Sequence, residues 1–241
     1  RYLGDTLPEV AFEKAGIIKE GCPVVVGETA PEPLDVIVAR AMELNAPVML
    51  RGRDFRHELS GPPMDQLLCY ESEDLCFGPV PLGLTGRFQG ENASTAVTLA
   101  TVLAEHFPRL TQQAIVEGLA SARWPCRLER VLDSPPTVID VAHNPMGAQK
   151  LAREFDRPCV VLLALSKDKD AVGIIEELAP IMGTLILSQF AGHRSLPVGE
   201  LSAAASARPH LSFPRLEDAI GAGLDAASEE HPLLITGSIF T

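Results

Sequence analysis

No stretch of this 241-residue chain comes near the roughly 18 to 20 consecutive apolar residues that a membrane-spanning helix needs. Positive charge is also scarce: 20 Lys and Arg against 32 Asp and Glu give a formal net charge of -12 and a pI near 4.9. Binding to a nucleic-acid backbone relies on clustered Lys and Arg, so no nucleic-acid partner is expected, and any anionic ligand must be met by a local positive site. The five cysteines (Cys22, Cys69, Cys76, Cys126 and Cys159) are odd in number, scattered, and form no C-x-x-C pair. They suggest neither a disulfide framework nor a zinc site, and they favour a reducing cytoplasm. The first ten residues, RYLGDTLPEV, have no initiator Met, no basic segment leading into an apolar one and no small-residue cleavage site. They are therefore not expected to be a signal peptide and read as a start in mid-chain. The last residues, HPLLITGSIFT, stop just past a strand-like run, as at the edge of a domain.

What is present suffices for substantial cores: 46% of residues are hydrophobic and the mean hydropathy is +0.14, as in a soluble protein. The length suits two moderate domains better than one. The segment LPEVAFEKAGIIK reads as a helix with Asp5 or Thr6 as cap, Pro8 in the first turn and Gly21 as its end. A buried strand CPVVVG follows, then an amphipathic helix with Leu34, Ile37, Val38 and Met42 on one side, then the strand PVML. From about 53 to 85 the pattern changes to short, turn-rich strands, with Glu71 to Asp74 suited to a hairpin turn. Two helices follow, GENASTAVTLATVLAEHF and TQQAIVEGLASA. After a boundary near Ser121 to Trp124, strands at TVIDVA, CVVLLAL, GTLILSQF and PLLITGS alternate with helices. This alternation implies a parallel sheet covered on both faces. The domains are then 1–122 and 123–241, and ELSAAASARP reads as a loose surface helix.

Candidate site residues gather at predicted strand ends, where open α/β sheets bind ligands. The strand TVID ends in Asp140, followed by His143 and Asn144. A carboxylate there can accept hydrogen bonds from ribose hydroxyls, although Asp140 or Asn144 could equally cap the next helix, and His143 alone is an ordinary loop histidine. Arg127, in WPCRLE, could clamp a phosphate bidentately or pair with Glu129. In GRFQGENASTA, Arg87 and Gln89 fall in a loop before a helix. Asn92 there can offer both a donor and an acceptor to an adenine edge, or cap that helix. The loop SKDKD places Ser166, Lys167, Asp168, Lys169 and Asp170 after a buried strand. It could hold a zwitterionic amino acid, or be a solvated loop in which Asp170 caps the next helix.

Together, YLGDTLPEVAFEKAGIIKEGCPVV, GRFQGENASTA, WPCRLE, DVAHNP, SKDKD and ITGS resemble, in order and rough spacing over nearly the whole chain, the folylpolyglutamate synthases and bifunctional dihydrofolate synthases of the Mur ligase superfamily. The resemblance implies an α/β architecture: the C-terminal part of a P-loop ATPase domain, then a Rossmann-like α/β domain with a mostly parallel sheet. It implies ATP-dependent ligation of L-glutamate to dihydropteroate, to a folyl-glutamate, or to both, through an acyl phosphate. A peptidoglycan Mur ligase or a non-catalytic Rossmann-like nucleotide-binding protein is the alternative. No G-x-x-x-x-G-K-[ST] occurs in the sequence, so a phosphate-cradling loop is expected upstream, and these 241 residues alone are expected to be inactive.

The resemblance also distributes roles. Asn92 would read adenine, Arg127 would bind phosphate and Asp140 ribose; His143 would lie near the phosphate and the incoming glutamate, with Lys169 and Ser238 at the glutamate site. Lys14, in Lys14-Ala15-Gly16-Ile17-Ile18, would be carbamylated by CO₂ and help hold one of two Mg²⁺ ions, with partial burial favouring its neutral amine. The partners implied are ATP, L-glutamate and dihydropteroate or a reduced folate, used by a cytoplasmic monomer. Two positions depart from the family pattern, which usually has Gly at Cys126 and Val141. If position 126 needs φ > 0, a non-glycine residue there puts the loop carrying Arg127 in question.

Overall fold

The computed structural model describes residue 4 and residues 6–27, 30–62 and 65–238. The chain divides into two compact units, Arg1–Ala122 and Arg123–Thr241.

In the first unit, α1 (Leu7–Ala15) starts in a capping box, with the Thr6 hydroxyl accepting the Glu9 N–H and the Glu9 carboxylate accepting the Thr6 N–H. Asp5, the other expected cap, lies outside the described residues. The helix stops at Ala15 rather than at Gly21. The N–H groups of Gly16, Ile17 and Ile18 turn back to the carbonyls of Glu13, Lys14 and Ala15, which drops Ile18 into a small core with Ala15, Ala41 and Ala46. β1 (Val24–Val26) and β2 (Val48–Leu50) form a two-stranded parallel sheet, linked by α2 (Pro31–Glu43). The inward stripe of α2 runs through Leu34, Ile37 and Ala41, at spacings of three and four. Met42, expected on that side, is one step past Ala41 and is 72% exposed.

The turn-rich region is an antiparallel sheet of β3 (Phe55–Ser60), β4 (Leu67–Ser72) and β5 (Cys76–Pro81). Its hairpin turn is closed by Ser72, which exchanges hydrogen bonds with Leu75. α3 (Phe88–Ala104) packs Val97 against Phe55 and Tyr70, and the buried Tyr70 hydroxyl is satisfied by Thr98 Oγ1 at 2.8 Å. α4 (Gln112–Ser121) is capped by the Thr111 side chain.

The second unit is built on a six-stranded sheet. Its elements in chain order are β6 (Glu129–Asp133), β7 (Pro136–Ile139), α5 (Pro145–Ala152), β8 (Cys159–Leu163), α6 (Ala171–Leu178), β9 (Met182–Ser188), α7 (Val198–Ala204), β10 (Leu211–Phe213), α8 (Leu216–Ala226) and β11 (Leu233–Thr236). The spatial order is β10-β9-β8-β11-β7-β6, parallel throughout except for β6, which runs antiparallel to β7. All five residues of β8 are buried, as expected of a strand covered on both faces. On one face α8 contributes Ala219, Leu216 and Ile220 to a cluster with Val160, Leu162, Ile186, Leu233 and Ile235. The expected loose helix near 200–206 is α7, and it is packed: Leu201 is fully buried. The chain passes from β7 over the place of β11 to reach β8 and fills that place last. The carboxyl ends of β7, β11 and β8 therefore lie side by side, with the loops after them converging.

Candidate functional site

Those loops enclose a cavity of about 540 Å³ in the second unit. The segment before β6 contributes Arg127, the loop after β7 His143, the loop after β8 Ser166 through Lys169, the loop after β9 His193 and Arg194, and the end of β11 Ser238.

Asp140 organises two of these loops. It is 5% exposed, and its carboxylate accepts the Leu128 N–H at 3.0 Å and the Ala142 N–H at 2.8 Å. One side chain thus ties the segment carrying Arg127 to the segment carrying His143. Burial pushes its carboxyl above the ordinary value, while those two N–H donors and the charges of Arg127 and His143 pull it partly back. Arg127 stands between two left-handed residues, Cys126 (φ 58) and Leu128 (φ 49). Position 126 therefore does require φ > 0, and a cysteine holds it at some cost. Glu129 accepts the Cys126 N–H at 2.7 Å, so its carboxylate braces the turn.

Capping of α5 falls to Asn144, whose Oδ1 accepts the Gly147 N–H at 2.7 Å, and not to Asp140. His143 has its Nδ1 at 2.9 Å from the Val141 carbonyl. A carbonyl only accepts, so Nδ1 carries the proton and Nε2 of the neutral ring is the acceptor. Lys169 pairs with Asp168 at 2.8 Å, and this hydrogen bond holds the Asp168 carboxyl below its ordinary value. Asp170 caps α6 through the Gly173 N–H. Gly237, at φ +114, leaves room for the Ala164 carbonyl, which a Cβ would approach to 2.4 Å. No other residue fits there, and it delivers the buried Ser238 to the cavity wall.

Arg127, Lys167, Lys169 and Arg194 bring four positive charges to this wall, against one carboxylate, Asp168, among the described lining residues. In a chain of net charge -12, this is the local positive site that an anionic ligand needs. His193 and Arg194 were not among the sequence candidates. The strand-end rule applied to β9, as it was to β7 and β8, points to them.

In the first unit, α3 begins at Phe88, earlier than expected, which places Gln89 within its first turn. Asn92 therefore does not cap it; its amide donates to Gln89 Oε1 at 2.9 Å. Both residues line a mainly apolar cavity of about 410 Å³ with residues of α3 and α4. Lys14 lies in the last turn of α1 and is exposed, not partly buried as expected. The face turned inward is Ala11, Ala15 and Ile18, and the ammonium keeps its hydration where a helix C-terminus favours a cation. Among the described residues no group of three or more His, Cys, Asp or Glu could hold a metal ion, and no helix is long and apolar enough to cross a membrane.

Residues 126–239 match the family model of the Mur ligase glutamate ligase domain. Over its whole length the chain is 33% identical to a folylpolyglutamate synthase of Lacticaseibacillus casei, of which it covers 57%. Over 99% of its length it is 32% identical to a dihydrofolate synthase/folylpolyglutamate synthase of Bacillus subtilis, again covering 57% of that protein. Among solved structures, a Mycobacterium tuberculosis folylpolyglutamate synthase complexed with ADP matches all of this chain with a TM-score of 0.86 and 30% identity, over 58% of its own length. The chain thus spans a little over half the length of the curated relatives it matches.

Proposed function

We propose that this chain, which matches the Mur ligase glutamate ligase domain over residues 126–239 and is similar to folylpolyglutamate and dihydrofolate synthases, serves the ATP-dependent ligation of L-glutamate to dihydropteroate, to a folyl-glutamate, or to both. The observation that carries this reading is the cavity at the strand ends, with its excess of cations in an acidic protein.

The reaction proceeds in two displacements. A substrate carboxylate oxygen attacks the γ-phosphorus of ATP, the bond to the β-γ bridging oxygen breaks, and ADP leaves an acyl phosphate behind. The amine of glutamate then attacks the acyl carbon, phosphate departs, and an amide forms. Both steps concentrate negative charge on phosphoryl oxygens, so catalysis rests on placing cations and excluding water. Arg127 is the phosphate partner, held by the Asp140 clamp on its loop. The unprotonated Nε2 of His143 takes the proton that the incoming ammonium must lose before it can attack. Lys169 and Ser238 receive the amino acid. Asp140 contributes chiefly by holding the loops, with its ribose contact secondary, and Asn92 reads the adenine edge.

The described residues supply no metal cage, and Lys14 stands exposed without one, so no step above passes through Mg²⁺. A carbamate on Lys14 is the resemblance's contribution to this proposal. Intact-mass analysis of the protein kept in bicarbonate tests it, through the added mass of one CO₂ that Lys14→Ala abolishes. The function itself is tested by supplying the full-length protein with ATP, L-glutamate and either dihydropteroate or a reduced folate. ADP release that requires both the amino acid and the pteroate compound is expected. ATP turnover with neither, or none with both, overturns the proposal.

A further inference from the structure

Four loops wall the cavity of the second unit, and the one after β9 has no part in the steps above. It is anchored to the loop after β8. The Lys167 N–H donates to the Arg194 carbonyl at 2.9 Å and the Leu196 N–H to the Leu165 carbonyl at 2.8 Å, with Ser166 and Ser195 forming an antiparallel bridge between them. Ser195 is buried, and its hydroxyl accepts the Phe190 N–H at 3.0 Å, which closes the loop on itself. The backbone of Arg194 is thereby fixed against that of Lys167, on the wall that also carries Asp168 and Lys169.

We infer that Arg194 is a specificity-determining residue that binds the side-chain carboxylate of the incoming amino acid, so that the cavity selects a dicarboxylic substrate. The inference rests on the proposed ligation and adds to it the basis of amino-acid choice. L-Glutamate brings two carboxylates and one ammonium. Arg127 is committed to phosphate, which leaves Lys167, Lys169 and Arg194 as cations and Asp168 as the anion, a set complementary to those three charges. Lys169 already contacts Asp168, so the α-carboxylate and the ammonium, attached to one carbon, match that adjacent pair. The second carboxylate lies further along the substrate and needs a cation on a different loop. Arg194 meets that need with a planar fork suited to bidentate carboxylate binding, which the point charge of Lys167 lacks. The bonds between the two loops fix the backbones from which the two cations project, and a defined spacing between those backbones is what lets a site tell glutamate from a shorter or uncharged analogue.

The test is carried out on the full-length protein, comparing wild type with Arg194→Ala and Arg194→Lys. Ligation rates are measured against L-glutamate, L-glutamine and ATP, and binding of L-glutamate and L-glutamine is measured by calorimetry without nucleotide. For Arg194→Ala, KM for L-glutamate is expected to rise about 10- to 100-fold, as for loss of a charged hydrogen-bond pair. KM for ATP should stay within about twofold, and the preference for glutamate over glutamine should collapse, with Arg194→Lys recovering part of it. An unchanged glutamate-to-glutamine preference overturns the inference. So does an equal rise in KM for ATP, which would assign the guanidinium to phosphate. Should the wild type ligate nothing, the proposed function fails and calorimetry decides the inference separately: tighter glutamate binding that Arg194→Ala abolishes supports it, and equal binding of the two amino acids in wild type refutes it.

Discussion

The second unit covers a six-stranded sheet with helices and buries its strand β8 at every residue. The first unit divides its five described strands between a parallel pair and a separate antiparallel sheet. Both contain an alternation of helix and short apolar strand, which in the first unit gives way to consecutive antiparallel strands from Phe55 to Pro81. The difference lies in convergence. In the second unit, parallel strands of one sheet send their loops to one edge, and side chains distant in sequence share a cavity. In the first, Lys14 and Asn92 stand on helices, each among its own local neighbours.

The largest expected effect therefore concerns the central sheet. Leu162 is fully buried in β8 and belongs to the cluster under α8. Leu162→Ala should lower unfolding stability by about 2–5 kcal/mol, the range for a truncated core leucine. In chemical denaturation the midpoint should fall at unchanged slope. A loss below about 1 kcal/mol would show that the sheet does not form a continuous core.

The fold of the second unit was readable in sequence because fully buried strands leave uninterrupted apolar runs, such as CVVLLAL, that caps and turns then delimit. β10, three residues long, leaves no such run. The end of α1 and the phase of Met42 were misread for a related reason. Small residues such as Ala15 and Ala41 mark a close helix contact, and their weak hydrophobic signal is overshadowed by Ile17 and Met42 beside them. At the candidate site, Arg127, His143, Lys169 and Ser238 line the cavity, and motif order had selected them. What could not be read was the clamp beneath. That Asp140 would accept an N–H from twelve residues earlier depends on the antiparallel pairing of β6 with β7. For Arg194 the strand-end rule applied to β9 supplies the loop, and only the bonds that pin this loop to the one after β8 single out the residue within it.

The clamp gives the next largest effect. Asp140→Ala leaves the buried N–H groups of Leu128 and Ala142 without their acceptors. At about 1–3 kcal/mol for each unsatisfied donor, partly relieved by water, a loss of about 2–4 kcal/mol is expected. Amide hydrogen exchange at Leu128 and Ala142 should accelerate more than global stability alone explains. Unchanged protection at both would remove Asp140 from the role of loop holder.

Cys126 allows a gain rather than a loss. At φ 58 it sits where glycine is at ease and a side chain is strained, and its bond to Glu129 uses only the backbone N–H. Cys126→Gly should stabilise the second unit by about 1 kcal/mol, somewhat less after the extra entropy glycine carries in the unfolded chain. Cys126→Val should destabilise it, because β-branching tolerates positive φ least. Thermal unfolding of the pair checks this, and equal melting temperatures would show that the turn bears no strain.

Acid should give the smallest effect and separate the units by sign. In the first unit, Asp54 accepts hydrogen bonds from Arg53 and from the Leu50 N–H, and the Arg53 bond above all holds its carboxyl below the ordinary value. Its contribution is that of an exposed ion pair and correspondingly small. A depressed folded value means this contribution is fully present above the unfolded pKa, about 3.9, and is lost only as pH falls below it. Asp140 has the opposite sign: burial raises its folded value, so the native state binds the proton more readily. Its ionisation weighs against stability above that folded value, and the burden lifts as pH falls from there toward about 3.9. Denaturation of wild type, Asp54→Asn and Asp140→Asn from pH 7 to pH 3 should therefore show wild type gaining on Asp140→Asn down to about pH 4. The Asp54→Asn difference should stay flat over that range and shrink only below it. A wild type that loses ground to Asp140→Asn on acidification would mean that the two N–H donors and Arg127 outweigh burial at this carboxylate.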